Sequence, residues 1–167
     1  MQWQQADALR LPFDAASFDI VVCQFGVMFF PDKARAFAEA RRVLRRGGVL
    51  LFNAWDRIEE NEFADVATTT LAELFPADPP RFMARTPHGY FDLEAIARDL
   101  ANGGFRAPPR IETIAYCRGT PLRGEIEAKG PDALARATDA VASAIAKRFG
   151  TGAVEGKIQA IIVSARR

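Results

Sequence analysis

Few side chains here have the reactivity to do chemistry, and they are scattered. His88 is the single histidine, in the stretch Thr86-Pro87-His88-Gly89-Tyr90. An imidazole titrates near neutrality, so His88 is a candidate general base, though the same loop placement suits a polar surface residue. Cys23 and Cys117 lie far apart in strand-like segments and read as buried, reduced thiols. One histidine without Cys/His clustering argues against a zinc site. A phosphate-cradling loop would need a G-x-G-x-x-G or G-K-[ST] pattern, and neither occurs. The pairs Gly47-Gly48 and Gly103-Gly104 each follow a helical pattern, whereas a cofactor loop joins a strand to a helix start.

The elements that must position these residues are legible from patterning. Ser17 to Phe25 (SFDIVVCQF) and Val49 to Ala54 (VLLFNA) are short apolar runs that read as buried strands. Between them a helix is predicted from about Asp32 to Arg46, with Asp32 as N-cap, Gly47 as C-cap, and Ala34, Phe37, Ala40 and Leu44 on its apolar stripe. Lys33, Arg35, Glu39, Arg42 and Arg45 point elsewhere, and the cluster Arg41, Arg42, Arg45, Arg46 reads as a solvated helix face. Strand, crossover helix and strand make a βαβ unit, the building block of parallel sheets in α/β folds. Trp3 to Asp7 reads as the end of a further strand. Downstream, helices are predicted at Asn61 to Phe75 (capped by Asn61), Leu93 to Ala101 (capped by Asp92, with Leu93, Ile96, Ala97 and Leu100 inward) and Pro131 to Phe149. A loop spans Arg81 to Tyr90, and strands are expected at Ile111 to Tyr116 and Ile158 to Ala165.

With 167 residues the chain can bury one core, and 22 basic against 21 acidic residues leave no nucleic-acid footprint. No apolar run reaches the ~20 residues of a membrane span, and no signal peptide opens the chain, so a cytoplasmic protein is expected.

Ala6-Asp7-Ala8, Leu11-Pro12-Phe13, Phe18-Asp19-Ile20-Val21, Phe25-Gly26 and Arg42-Val43-Leu44-Arg45-Arg46-Gly47-Gly48 occur in that order. In this order and spacing they resemble the second half of a class I S-adenosylmethionine-dependent methyltransferase of the type 11, ubiquinone and menaquinone methyltransferase group. The resemblance implies an α/β fold: an incomplete doubly wound Rossmann-like sheet of family order 3-2-1-4-5-7-6. Its first two strands, with the glycine-rich loop, would be missing, and its last two would form an antiparallel pair. A truncated chain is therefore expected, with Asp19 to Phe25 left as an edge that invites self-association.

The resemblance also implies roles. Asp7 would accept a hydrogen bond from the adenine amino group of S-adenosylmethionine, Ala8 would offer its backbone amide to the ring and Leu9 would pack on it. Gln24 and Phe25 would line the methionine end. Segment 55–91 would act as a lid over the substrate, and 121–150 as a helical insertion between the last strands. Phe29, Phe30, Trp55, Tyr90 and Phe91, with His88, could line an apolar acceptor pocket, although a core needs the same residues. The implied reaction is methyl transfer to a small molecule, without a metal or nucleic acid. The alternatives are a non-catalytic methyltransferase-like scaffold and a domain using another nucleotide.

Overall fold

A computed structural model describes residues 2–114, 126, 128–151 and 156–167. Cys117 and part of the predicted strand and insertion around it lie outside these. Asp32 caps the first helix as expected: its carboxylate accepts the Arg35 amide at 2.9 Å and α1 runs Lys33–Val43. The helix stops at Val43, short of Arg46. The amides of Ala16 and Ser17 take the Arg42 and Val43 carbonyls at 3.0 and 2.8 Å, and the chain is drawn out directly into strand β2, Leu44–Trp55.

Gly47 and Gly48 are thus not a helix cap. They lie in an irregularity of the parallel pairing between β1, Phe18–Gln24, and β2, where the register passes from Phe18↔Leu44 to Ile20↔Val49. Gly47 has φ 80°, and a Cβ on Gly48 would stand 2.9 Å from the carbonyl oxygens of both Asp19 and Arg45.

Strands β3, Arg110–Ile114, and β4, Ala160–Arg166, complete a four-stranded sheet of order β1-β2-β4-β3. Gly47 and Gly48 exchange backbone bonds with Arg167 at 3.1 and 3.0 Å, and Asp56 bonds Gln159 at 3.0 Å, so β4 runs antiparallel to β2. The order reproduces the last four strands of the family sheet, and β1 is the expected edge. The predicted strand at Trp3 to Asp7 is absent: these residues are irregular and Trp3 is 87% exposed, because no described strand lies beside them to complete a ladder.

The described residues fall into two units, the first made of Met1–Ala54, Tyr90–Thr113 and Ile161–Arg167. Its core lies on one face of the sheet. Leu50 and Phe52 are 2% and 1% exposed, Phe37 of α1 stacks on Phe52 with centroids 5.2 Å apart, and α4, Leu93–Asn102, adds Ile96 and Leu100. Asp92 caps α4 through the Glu94 amide at 3.0 Å, whereas Leu93 is exposed, not core. Among the described residues the other face is open beside β1: Ile20, Val22 and Leu51 share it by register and are 60%, 62% and 37% exposed, so the first strand is half-buried on one side only and not the buried strand expected.

The second unit, Trp55–Gly89 and Ile114–Ala160, packs α2, Glu62–Leu74, against α5, Ala133–Phe149, around Leu71, Ile126, Ala133 and Ala137. A short helix α3, Phe82–Arg85, interrupts the loop expected at Arg81 to Tyr90. Asn61 does not cap α2 with its side chain. It is buried, donates to the carbonyls of Asp56 and Arg57 at 3.3 and 3.0 Å, and accepts the Gln159 amide at 2.9 Å. Among the described residues no helix is long and apolar enough to cross a membrane.

The Gly48 contact gives a direct test. Gly48→Ala should destabilise the chain by about 1–3 kcal/mol in urea denaturation, since two backbone carbonyls must move for the methyl group.

Candidate functional site

Asp7 heads a tight turn. Its side-chain oxygen accepts the Leu9 amide at 2.9 Å and its carbonyl accepts the Arg10 amide at 3.0 Å. Asp7 is exposed while Ala8 and Leu9 are half-buried.

The stretch that follows is held by α1. Arg35 donates to the Leu9 carbonyl at 3.2 Å. Glu39 accepts the Leu11 amide at 2.9 Å, and Arg42 donates to the carbonyls of Leu11 and Phe13 at 2.9 and 2.7 Å. The two side chains also bind each other through a fork of bonds at 3.0 and 2.9 Å. Glu39 is buried, and its bonds to Arg42 hold its carboxyl below the ordinary carboxylate range, against the opposing effect of burial.

Arg42 is therefore not part of a solvated face, and Glu39 does not point away from the protein. Arg45 is likewise engaged, with Asp19 at 2.7 Å and the Ala16 carbonyl at 3.3 Å. Sequence reading missed these positioning residues. The available signal was a carboxylate and a guanidinium three residues apart on one helix, where an ion pair forms readily.

The second turn lies where β1 ends. Gln24 is exposed, and Phe25 adopts φ 48°, a left-handed conformation unusual for a bulky residue. Its amide donates to the Asn53 side-chain oxygen at 2.6 Å. Lys33, in the first turn of α1, donates to the Phe30 carbonyl at 3.0 Å. One end of α1 thus secures the Asp7 segment through Arg35, while the turn at Phe25 is bonded by Asn53 of β2. A groove of about 250 Å³ lined by Val22, Cys23, Gln24, Leu51, Phe52, Asn53 and Ile162 opens beside the second turn. Burial pushes the Cys23 thiol above its ordinary pKa, so it remains a thiol at neutral pH.

The proposed acceptor-side residues are divided between the two units. In the first unit Phe29 is 47% exposed. Tyr90 is buried there, its hydroxyl donating to Asp99 at 3.0 Å with the Lys33 ammonium 4.8 Å from the ring centroid. Burial and the Asp99 bond push the phenol pKa far up. In the second unit His88 is buried, with Nδ1 2.7 Å from the Asp56 carbonyl and the Trp55 ring centroid 5.9 Å away. A nitrogen facing a carbonyl must donate, so Nδ1 carries the proton and Nε2 keeps its lone pair. Burial lowers the His88 pKa and favours the neutral ring. Among the described residues no group of three or more His, Cys, Asp and Glu could hold a metal.

Strand order and helix placement define a Rossmann-like methyltransferase sheet. Among the solved structures that share this fold is a protein assigned as a methyltransferase of an antibiotic biosynthesis pathway in Anabaena variabilis. It has a TM-score of 0.59 and 14% identity, over 96% of this chain and 72% of that one. Residues 1–52 match the family model of the methyltransferase domain, and the comparisons support a class I S-adenosylmethionine-dependent methyltransferase. A demethylmenaquinone methyltransferase of Deinococcus radiodurans is 47% identical over 123 residues, covering 68% of this chain and 51% of the relative. A ubiquinone/menaquinone biosynthesis C-methyltransferase of Teredinibacter turnerae is 28% identical over 137 residues, 77% of this chain and 51% of the relative. The chain spans about half the length of these curated relatives.

Because the folded Glu39 carboxyl titrates below its ordinary value of 4.5, its contribution to stability is complete above that pH. It is lost as pH falls through the lower, folded value. Thermal midpoints measured from pH 7 to pH 3 should fall more steeply for the wild type than for Glu39→Gln. At pH 7 the variant should be less stable by about 1–3 kcal/mol, the value of a hydrogen bond to a charged group.

Proposed function

We propose that this chain carries part of the cofactor site of an enzyme that transfers a methyl group from S-adenosylmethionine to a small-molecule acceptor. The observation that carries the reading is that two secured turns, at Asp7 through Arg35 of α1 and at Gln24–Phe25 through Asn53 of β2, bear the residues matched to the cofactor. The second lies at the end of β1, and strand ends are where α/β sheets take their ligands.

The residues present suit two parts of the cofactor. The exposed Asp7 carboxylate is an acceptor for the adenine amino group, with the Ala8 amide and the Leu9 side chain against the ring. Gln24 and Phe25 flank the methionine end. When bound, the cofactor supplies an electrophilic methyl group on a sulfonium leaving group, so the protein's work is to orient the acceptor and exclude water. His88, neutral and with Nε2 free of the Asp56 bond, is the base assigned to an acceptor hydroxyl or enol. The segment 55–91 is assigned to acceptor selection and 121–150 to the helical insertion. The relatives' names favour a quinone-type acceptor. The same reading takes the enzyme as cytoplasmic and as engaging no nucleic acid.

Calorimetric titration with S-adenosylhomocysteine, of this chain and of a form extended upstream where the gene encodes one, tests the reading. Saturable one-site binding, weakened roughly tenfold or more by Asp7→Ala, is expected from loss of a bond to a charged acceptor. No heat from either form would discard it.

A second reading is favoured by the bare edge and face at Ile20 and Val22. On it the chain is a methyltransferase-like module that self-associates through strand 19–25. Light scattering at high concentration should then show oligomers that Val22→Lys dissociates. A strictly monomeric wild type would exclude this mode.

A further inference from the structure

We propose that Asn53 is a positioning residue that sets the turn carrying Gln24 and Phe25, an inference that rests on the assignment of that turn to the methionine end of the cofactor. Asn53 stands opposite Gln24 in the β1–β2 register and lines the same groove. Its side-chain oxygen takes the Phe25 amide at 2.6 Å, across 28 residues of sequence.

That bond falls where the backbone most needs support. Phe25 holds φ 48° although it is not glycine, a conformation that is costly for a bulky residue and persists only where the surroundings enforce it. Next to it a Cβ on Gly26 would stand 2.7 Å from Cys23 Sγ, so the chain after Phe25 is packed tightly onto the end of β1. The Cys23 sulfur packs against Gly26 on the far side of the turn. Asn53 supplies the near side. With its oxygen bonded to Phe25, its amide group can still donate to a ligand in the groove.

Amide hydrogen exchange on the 167-residue chain, without cofactor, reads the clamp directly. Asn53→Leu, similar in size but unable to accept, should speed exchange at Phe25 by about tenfold. Exchange at Leu50 and Phe52 should be unchanged. Asn53→Asp keeps an acceptor oxygen in place and should retain the protection. Unchanged exchange at Phe25 in Asn53→Leu overturns the proposal. If Asn53→Leu loses protection everywhere, Asn53→Asp decides: protection kept supports the clamp, and protection lost at Phe25 alone overturns it. In whichever form of the chain binds S-adenosylhomocysteine, Asn53→Leu should also weaken binding about tenfold, and unaltered affinity overturns the positioning role. Absence of binding by every form, with the exchange pattern as expected, defeats the methyltransferase reading and leaves the clamp standing.

Discussion

The Glu39–Arg42 pair is the contact on which the arrangement of the first unit turns. Residues 9–13 have no regular structure of their own, and their backbone groups would otherwise depend on water. Glu39 takes one amide and Arg42 gives to two carbonyls, so the pair substitutes for the neighbouring strand that this stretch lacks. Each side chain also neutralises the other, which is why Glu39 is tolerated in a buried position. Without the pair, the Asp7 turn would be tied to α1 through Arg35 alone.

Different forces hold the edge strand. The Arg45–Asp19 pair is largely exposed, with side chains 53% and 76% accessible, and exposed pairs of this kind contribute about 0–1 kcal/mol. Fully burying a residue such as Phe52 or Leu50 contributes about 1.5–3 kcal/mol each. The sheet is therefore held from its helix-covered face. The charges and the double glycine fix where β1 meets β2, through the bulge that separates Phe18↔Leu44 from Ile20↔Val49.

Much of this architecture could be read from sequence because it depends on local chemistry and apolar period. Asp32 and Asp92 cap helices as their positions suggest, and the strand order follows the resemblance that the quoted motifs carry. What was not legible depends on partners remote in sequence. Arg45 and Arg46 continue a helical pattern, yet backbone pairing with residues 16–18 pulls that stretch into β2. Asn61 has the composition of a cap, but carbonyls at 56 and 57 and an amide at 159 claim its side chain. In the site, Asp7, Gln24 and Phe25 were marked by motif, whereas Glu39, Arg42 and Asn53 act through backbone groups 28 to 31 residues away. No local pattern encodes such a distance.

The two kinds of site residue also differ in what evolution could exchange. A residue that meets a ligand must match that ligand, and the Rossmann-like sheet hosts many chemistries by changing such residues. A residue that holds a turn need only present an acceptor or donor at one point in space. Glu39, Arg42 and Asn53 all bind main-chain atoms, which every sequence possesses, and two of them stand on α1 and one on β2, the rigid elements of the unit. The chain thus separates two tasks: regular elements fix the course of the turns, and the turns carry the groups proposed to meet a ligand. On that proposal, the side chains at 7–9 and 24–25 can vary with the ligand while the geometry that presents them is kept.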